Sequence, residues 1–367
     1  MCGDAPIRLP ERRDPFVASV GAAWRRLTGP TPDDQRRTLV ACSGGADSSA
    51  LAIALRSVNS SRSNLVIAHV RHDLRSPSEV ASDAHQAEHL ADRLGLPYVE
   101  ADVEVLRRPG NAEANARDAR YESLASLAKN HACRFVATGH HADDQLESLL
   151  MALLRGAGVA GLRGVAPARP LDETTRLIRP MLDLDRADAE RICQSAGWAW
   201  AEDESNRDVG RLRAALREHV TPVLRTLRPS APHRAAATAR VMREVQQVLS
   251  MHARIATDCA RLGDAPTWSR AALREMPPAL VAETLRAAVA ERVAARFAGQ
   301  DRLPERLLRP AVEAIRSASG ETRSFDWACG TLLVERDTVT LRFRDPTSRD
   351  EVDHGEQSGQ IDRDQHG

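Results

Sequence analysis

The chain has 367 residues, and its 51 Lys and Arg residues balance 51 Asp and Glu residues, so the formal net charge is zero. This balance argues against indiscriminate nucleic-acid binding, and the 42% hydrophobic and 28% charged composition is ordinary for a soluble globular protein. No apolar run approaches the roughly 20 residues that span a bilayer, so no membrane partner is expected.

The cysteines and the N-terminus indicate the compartment. Six cysteines are scattered without a C-x-x-C pair, which argues against a zinc site or an iron–sulfur cluster. The charged N-terminus lacks the apolar core of a signal peptide, so we expect a cytoplasmic protein. A chain of this length predicts about two domains. Residues 1–36 are interpreted as an N-terminal extension with an amphipathic stretch at Phe16–Leu27.

From residue 37 the pattern alternates between apolar strands and helices. The predicted strands are Leu39–Cys42, Leu65–Val70, Tyr98–Val103 and Phe135–Thr138, and the predicted helices are Ser48–Ser57, Pro77–Leu94, Ala112–Lys129 and Asp144–Arg155. This alternation predicts an α/β fold with a parallel sheet, helices on both faces and a ligand crevice at the carboxyl ends of the strands.

A glycine-rich junction follows the first predicted strand. It consists of Ser43, Gly44, Gly45, Ala46, Asp47 and Ser48. Adjacent glycines allow a tight turn, and the free N–H groups of a helix N-terminus favour an anion. The junction lacks the Gly-Lys-Ser/Thr ending of kinase and GTPase loops and the third glycine of a dinucleotide fingerprint. An ordinary turn that opens a helix is the alternative interpretation.

A second polar cluster follows the fourth predicted strand, at Gly139–Glu147. Asp144 and Glu147 are three residues apart on one helical face, beside His140 or His141. Two carboxylates in this arrangement could hold an ammonium group or Mg²⁺. The alternatives are an N-cap, formed by one of the two aspartates, that precedes a solvated charged face, and a His/Asp metal site that matches no zinc signature.

Two basic stretches suit phosphates. Arg117 and Arg120 lie three apart on a predicted helix and are available to phosphate groups. The stretch from Arg207 to Arg228 contains six arginines against Asp208 and Glu218, and such a basic face suits a polyanion such as tRNA. Solvated helix charges are the alternative in both places.

The rest of the chain changes character. After Arg155 we expect a flexible loop as far as Arg179, and then a helix over Asp185–Ala196. From residue 229 the alternation stops. The predicted helices there are Ala235–Cys259, Ser269–Glu275, Pro278–Phe297 and Glu305–Ser317, and the predicted short strands are Thr322–Trp327, Gly330–Val334 and Thr338–Arg344. We therefore expect an ATP-binding catalytic domain at 37–228, a mostly helical domain at 229–345 and an acidic, disordered tail at 346–367.

Together these motifs resemble the tRNA(Ile)-lysidine synthase family over roughly 37–228, and more weakly to about 344. The Ser43–Ser48 loop resembles the pyrophosphate loop (PP-loop) of the ATP pyrophosphatase superfamily. The further motifs are His69-Val70-x-His72, Glu113-Ala-x-Ala-Arg117-x-x-Arg120-Tyr121, His140-His141-x-Asp143-Asp144-Gln145-x-Glu147, Arg155-Gly156-x-Gly158, Arg179-Pro180-Met181-Leu182 and Asp203-x-Ser205-Asn206.

The resemblance implies a two-step ligation. ATP adenylates the C2 carbonyl oxygen of the wobble cytidine in the isoleucine tRNA with a CAU anticodon. The amine of L-lysine then displaces AMP, and the resulting lysidine changes the codon read from AUG to AUA. The resemblance also implies the ligands ATP, Mg²⁺, L-lysine and this tRNA, and a possible homodimer.

The resemblance assigns roles to particular residues. Pyrophosphate would lie on the Ser43–Ser48 loop, with Mg²⁺ near Asp47. Asp144 and Glu147 would grip the substrate lysine, with His140 nearby, and a carboxylate or His could serve as general base. The arginines expected to stabilise phosphate charge or to hold the tRNA are Arg117, Arg120, Arg207, Arg213 and Arg217.

The chain also departs from the family pattern. Asp73 stands where the family usually has Gly, which predicts either an unusual backbone conformation or a different loop. Ala214 replaces an Asn, which removes a side-chain amide able to contact RNA or phosphate. The C-terminal region is shorter than in longer members, so we expect acceptor-stem recognition to differ or to be reduced. Two rivals stay open: a cytidine 2-thiolating enzyme, which needs paired cysteines, and a non-catalytic RNA-binding relative, which Asp73 and Ala214 weakly favour.

Overall fold

A computed structural model of the protein describes residues 7–32, 35–59, 61–73, 76–105, 112–200, 212–263, 266–293 and 303–344. The chain divides into two compact units, Met1–Val248 and Leu249–Gly367. The sequence-based boundary at 228/229 stays a prediction, as do the N-terminal extension and the tail at 346–367, which lies outside the described residues. None of the described helices is long and apolar enough to cross a membrane.

The first unit contains a six-stranded sheet with the strand order β3-β2-β1-β4-β6-β5. The strands are β1 Thr38–Ala41, β2 Leu65–His72, β3 Tyr98–Val103, β4 Phe135–Ala137, β5 Ala168–Pro170 and β6 Arg176–Ile178. All pairs are parallel except β5 with β6, which is antiparallel. The predicted α/β fold with a parallel sheet is therefore confirmed.

Helices lie between consecutive strands from β1 to β5, as the alternation predicts, and further helices precede β1 and follow β6. They are α1 Pro15–Thr28, α2 Ala46–Val58, α3 Pro77–Leu94, α4 Ala112–Asn130, α5 Ala142–Leu154, α6 Arg186–Ser195, α7 Leu212–Ala215, α8 Thr221–Leu227 and α9 Ala231–Ala260. The expectation of a loop between Arg155 and Arg179 is wrong in part, because β5 and β6 lie within it. Each has only three residues, which is too short to show an alternating pattern, and β6 is held by pairing with β4 on one side and β5 on the other.

The buried strands explain why both sheet faces are covered. Val40, Leu65 and Ile67 belong to one core cluster, with residues of α1, α2, α3 and α6. Their neighbours Leu39 and Val66 belong to the cluster on the opposite face, with residues of α4. Side chains alternate between faces along a strand, so continuous apolar runs bury both faces at once. This arrangement leaves the carboxyl ends of the strands as the place for polar groups.

Helix α1 contributes to this core although the sequence indicates no function for it. Val17 and Val20 are fully buried in the core cluster that contains residues of α2. The indole Nε1 of Trp24 donates to Thr38 Oγ1 on β1 at 3.1 Å. Asp14 caps the helix by accepting the N–H groups of Phe16 and Val17. We therefore assign α1 a structural role in supporting β1.

The second unit contains an antiparallel sheet packed against helices. Its strand order is β7-β10-β9-β8, with β7 Thr267–Ser269, β8 Arg323–Trp327, β9 Gly330–Val334 and β10 Thr338–Phe343. The helices are α10 Arg270–Glu275, α11 Pro278–Val293 and α12 Glu305–Arg316. The predicted strands and helices are confirmed within the described residues, whereas β7 was not predicted and its last residue, Ser269, had been assigned to the start of a helix. The predicted extension of α11 to Phe297 lies outside the described residues.

Arg270 is a buried structural cation of this second unit. It is 4% exposed, and its guanidinium donates to the carbonyl oxygens of Ile315, Glu335, Ala314 and Ser317 at 2.8–3.1 Å. These carbonyls belong to the end of α12 and the β9–β10 turn. Arg270 therefore satisfies orphan carbonyl groups that burial would otherwise leave without donors.

We expect Arg270→Ala to destabilise the second unit by about 3 kcal/mol or more, because several buried carbonyls lose a charged donor together. Chemical denaturation of the full chain, monitored by tryptophan fluorescence, measures this loss. The matched control is Arg274→Ala, which removes an exposed arginine from the same helix. Equal denaturation midpoints for the two variants would contradict the assigned role.

Candidate active site

The Ser43–Ser48 loop lies between β1 and α2, at the carboxyl end of the central strand. Gly45 is the N-cap of α2 and supplies no side-chain cap, so the first N–H groups of the helix remain available to a ligand. Gly44 has φ +86°, and a Cβ there would lie 3.2 Å from the Asp83 carbonyl oxygen. The loop therefore has the backbone that an anion-binding helix start requires.

The Ser48 side chain stabilises the turn by hydrogen bonds to two backbone groups of the loop. Its hydroxyl donates to the Gly45 carbonyl and accepts the Ser43 N–H, both at 3.1 Å. Ser48 is buried, whereas Ser43 is exposed beside the cavity described below. Ser48 thus shapes the turn, and Ser43 is the serine placed to contact a ligand.

Gly139, at the end of β4, allows the two polar clusters to approach each other. A Cβ at this position would lie 2.8 Å from the Asp47 carbonyl oxygen and 3.1 Å from the Ser48 nitrogen. Both contacts are to backbone atoms, which cannot move aside independently of the loop. The close approach of β4 to the loop therefore depends on a residue without a side chain.

We expect Gly139→Ala to displace the Ser43–Ser48 loop, to lower stability by about 1–3 kcal/mol and to weaken ATP binding. Thermal denaturation with and without ATP measures both effects. Gly197→Ala is the control for the effect of an added methyl group without a close contact. Gly197 has φ +66°, but no atom lies within 4 Å of the added Cβ. Undiminished stabilisation of Gly139→Ala by ATP would show that the loop tolerates the methyl group.

A cavity of about 380 Å³ opens beside this loop. It is lined by the ends of β1 and β2 and by one face of α4, and its polar residues include Ser43, His69, Arg117, Arg120, His140 and Arg213. The structure thus brings the predicted residues of the loop and of α4 together. Arginines around a glycine-rich helix start favour a ligand that carries several phosphates, and Arg71 lines this cavity as well.

Asp47 faces His141 rather than His140. The Asp47 Oδ2 atom lies 3.3 Å from His141 Nε2, and His141 Nδ1 lies 3.3 Å from Asp143 Oδ2. Burial alone lowers the pKa of His141, but the hydrogen bonds to Asp143 and Asp47 and the charge of Asp144 raise it above its ordinary value overall. The imidazole of His141 therefore lies between two carboxylates and orients the Asp47 side chain.

The other oxygen of Asp47, Oδ1, is buried and lacks a protein donor among the described residues. A buried carboxylate oxygen without a donor is costly unless a ligand completes it. Oxygen ligands suit Mg²⁺, so the residues present fit this ion.

His140 has a different environment. Its Nδ1 pairs with Thr138 Oγ1 at 2.9 Å, and burial lowers its pKa to about 3 despite the opposing charge of Asp144. His140 is therefore neutral at physiological pH and weakly basic. It serves better as a hydrogen-bond partner of a ligand than as a proton acceptor.

Helix α5 begins at Ala142, two residues before the predicted start. The N-cap is His141, not an aspartate, and Asp144 completes a capping box by accepting the His141 N–H at 2.9 Å. Gln145 fixes the neighbouring loop by bonding the Val165 carbonyl at 2.9 Å and N–H at 2.8 Å. This cap places Asp144 and Glu147 side by side and buried.

Asp144 and Glu147 pair with two of the predicted tRNA-binding arginines. Arg213 lies 2.7 Å from Asp144 Oδ1 and 2.7 Å from Glu147 Oε2. Arg217 Nε lies 2.7 Å from Glu147 Oε1. Burial would raise the pKa of Asp144, yet the His141 imidazole and Arg213 hold it at about 2. Arg207, the third arginine of the prediction, lies outside the described residues.

The contacts of Asp143 were not predicted from the sequence. Asp143 accepts two hydrogen bonds from Arg225 of α8, at 3.0 and 2.7 Å, and one from the backbone N–H of Arg186, at 3.0 Å. An ion-paired chain therefore runs from α8 through Asp143 and His141 to Asp47. The His140-His141 and Asp143-Asp144 pairs were the signal in the sequence for these contacts. The two members of each pair have the same side chain, so only the tertiary structure shows which contacts each of them makes.

The departure at Asp73 involves no strained backbone. Ala132 is the non-glycine residue with positive φ among the described residues, so Asp73 has an ordinary conformation. The Asp73 carboxylate accepts the Val105 N–H at 2.8 Å, which ties the end of β2 to the segment after β3. Ala214 lies on α7 between Arg213 and Ala215, and the carboxylate contacts of Arg213 do not depend on it.

Comparisons with known proteins agree with this geometry. Residues 21–224 match the family model of the PP-loop domain. The tRNA(Ile)-lysidine synthase of Bordetella parapertussis is 38% identical over 273 residues, which cover 73% of this chain and 77% of that protein. The tRNA(Ile)-lysidine synthase of Salinispora arenicola is 39% identical over 253 residues, which cover 68% and 75%.

A solved structure supports the fold alone. The U34-tRNA thiolase NcsA of Methanococcus maripaludis, solved with its 4Fe-4S cluster, superimposes with a TM-score of 0.50 at 16% identity. The match covers 66% of this chain and 86% of NcsA. With a PP-loop domain around the site and a relative aligned over 77% of its own length, the chain belongs to the tRNA(Ile)-lysidine synthase family.

Proposed function

We propose that this protein is the ATP-dependent ligase that joins L-lysine to C2 of the wobble cytidine in the isoleucine tRNA with a CAU anticodon. The observation that carries the proposal is the juxtaposition, at one end of the sheet, of the Ser43–Ser48 loop with the carboxylates of Asp144 and Glu147. The loop suits a leaving pyrophosphate, and the carboxylates suit a cationic amine. Family membership supplies the RNA substrate and the use of ATP.

In the first step, the C2 oxygen of cytidine forms a bond to the α-phosphorus of ATP and pyrophosphate leaves. The N–H groups that open α2 and the exposed hydroxyl of Ser43 hold the leaving group. Arg117 and Arg120 face it across the cavity and offset the developing charge. Mg²⁺ held by Asp47 would supply further neutralisation of phosphate charge.

In the second step, a neutral lysine amine attacks C2, and AMP leaves with the former C2 oxygen. Asp144 and Glu147 hold an ammonium group of the lysine, and the neutral His140 lines the cavity beside the loop. The attacking amine must lose a proton, and a carboxylate of this pair or His140 is the candidate acceptor.

The assay combines purified protein, ATP, radiolabelled L-lysine and a transcript of the isoleucine tRNA with a CAU anticodon. We expect ATP-dependent entry of label into the tRNA. The methionine tRNA with the same anticodon is the control substrate and should remain unlabelled. If the protein binds the isoleucine transcript but transfers no lysine, it is a non-catalytic relative and the proposal fails.

A further inference from the structure

Every oxygen of the carboxylates proposed for lysine already accepts a hydrogen bond from the chain itself. Both oxygens of Glu147 accept hydrogen bonds from Arg213 and Arg217, at 2.7–3.1 Å. Asp144 Oδ1 accepts from Arg213 at 2.7 Å, and its Oδ2 accepts the His141 N–H at 2.9 Å. A lysine ammonium therefore finds no free acceptor oxygen on this pair.

The two guanidiniums neutralise the pair in charge as well. Glu147 is 1% exposed, so the two negative charges lie in a poorly solvated position that requires cations. Burial lowers the pKa of Arg213 and Arg217, but the two carboxylates raise it above its ordinary value overall, so both arginines stay charged. One lysine ammonium has a single positive charge, whereas the two guanidiniums that it would have to replace have two.

The segment that supplies the arginines is held mainly by these ion pairs. It comprises α7 and the π-helical turn Leu216–Val220. Of residues 212–220, Leu216 alone is buried, whereas Leu212 is 47% and Val220 is 36% exposed. A segment with so little apolar burial can leave its position at a small hydrophobic cost, and π-helical turns frequently mark functional sites.

We propose that Arg213 and Arg217 occupy the ammonium subsite of lysine in the free enzyme and that tRNA phosphates draw them away. This inference rests on the proposed function, because it assigns the subsite to lysine. Guanidinium groups bind phosphate in the same two-pronged manner as carboxylate, so a bound tRNA offers the arginines an equivalent partner. Lysine then binds the freed carboxylates, and the enzyme takes up its amino acid only with tRNA in place.

Equilibrium dialysis with radiolabelled L-lysine tests this competition. We expect the wild type to bind lysine at least about tenfold more tightly when tRNA is bound, because the competent state is a minor fraction of the free enzyme. The variants Arg213→Gln, Arg217→Gln and the double variant should bind lysine more tightly than the wild type without tRNA. In the double variant the effect of tRNA on lysine affinity should disappear.

The control is Arg186→Gln, which removes an arginine that pairs with Glu190 and not with the lysine subsite. Lysine affinity without tRNA that is unchanged or weaker in the Arg213 and Arg217 variants overturns the inference. If circular dichroism shows that the Gln variants are unfolded, Arg213→Lys and Arg217→Lys take their place. A lysine side chain retains the positive charge but lacks the planar guanidinium. We therefore expect these variants to bind L-lysine more tightly than the wild type without tRNA, by a smaller factor than the Gln variants.

The inference and the proposed function fail in different ways. A wild type that transfers no lysine to the tRNA refutes the proposed function. A wild type that transfers lysine, together with arginine variants that bind it no more tightly than the wild type, refutes the competition alone.

Discussion

Replacing Asp47 with Asn is expected to abolish tRNA adenylation, with a loss of about 10²–10³-fold or more in the rate of pyrophosphate release. The variant keeps the shape of the side chain but removes its negative charge. Asp47 Oδ1 is the buried acceptor without a donor, and Oδ2 pairs with His141, so both functions of the side chain depend on that charge. Pyrophosphate release in the presence of ATP, tRNA and Mg²⁺ measures the effect.

Asp92→Asn is the matched control, because Asp92 is exposed on α3 away from the loop. A Mg²⁺ titration of the thermal stability of the ATP-bound protein separates cation binding from a folding defect. Stabilisation by Mg²⁺ should be lost in Asp47→Asn and kept in the control. Adenylation within tenfold of the wild type in Asp47→Asn would show that this carboxylate holds no essential cation.

Replacing Glu147 with Gln is expected to raise the KM for lysine by roughly 10- to 100-fold, while adenylation of the tRNA changes much less. The size follows from the loss of a buried, charge-assisted hydrogen bond, about 1.5–3 kcal/mol. Steady-state kinetics with varied lysine give the KM, and pyrophosphate release without lysine gives the first step.

Glu190→Gln is the control for this prediction, since it removes a carboxylate that pairs with a single surface arginine. An unchanged lysine KM in Glu147→Gln would mean that Glu147 only anchors Arg213 and Arg217. The sign of the change is informative as well. Glu147→Gln should weaken lysine binding, whereas Arg213→Gln should strengthen it, although the two side chains form one ion pair.

Local pattern was sufficient for most of the first unit. The strands β1 to β4 and their helices were predictable because each is an apolar run or an amphipathic repeat bounded by Gly, Pro or a cap. The helix α3 is an example, since Ser76 and Glu79 form a capping box before it and Gly95 ends it in a left-handed conformation. Strands β5, β6 and β7 were missed, because none of them is a continuous apolar run like the equally short β4, and pairing with a neighbour decides their conformation.

The site was predictable where its parts are contiguous in sequence. The Ser43–Ser48 loop and the Asp144–Glu147 pair are each contained in one strand-to-helix junction. Their spacing in the sequence is therefore enough to predict that the side chains of each set lie together. His140 and His141 were not distinguishable in this way. One turns toward Thr138 and the other caps α5 and contacts Asp47, and only the packing of β4 against the loop separates them.

The sequence by itself determined the class of chemistry: a glycine-rich anion loop on a parallel sheet, carboxylates for a cation and arginines for phosphates. Tertiary structure alone decided the partners of these charges. Arg213 and Arg217 lie 66 to 70 residues along the chain from the carboxylates that they neutralise, and their charge equally suits tRNA. The physical reason is that burial of Asp144 and Glu147 requires cations nearby, and folding brings these two arginines to them.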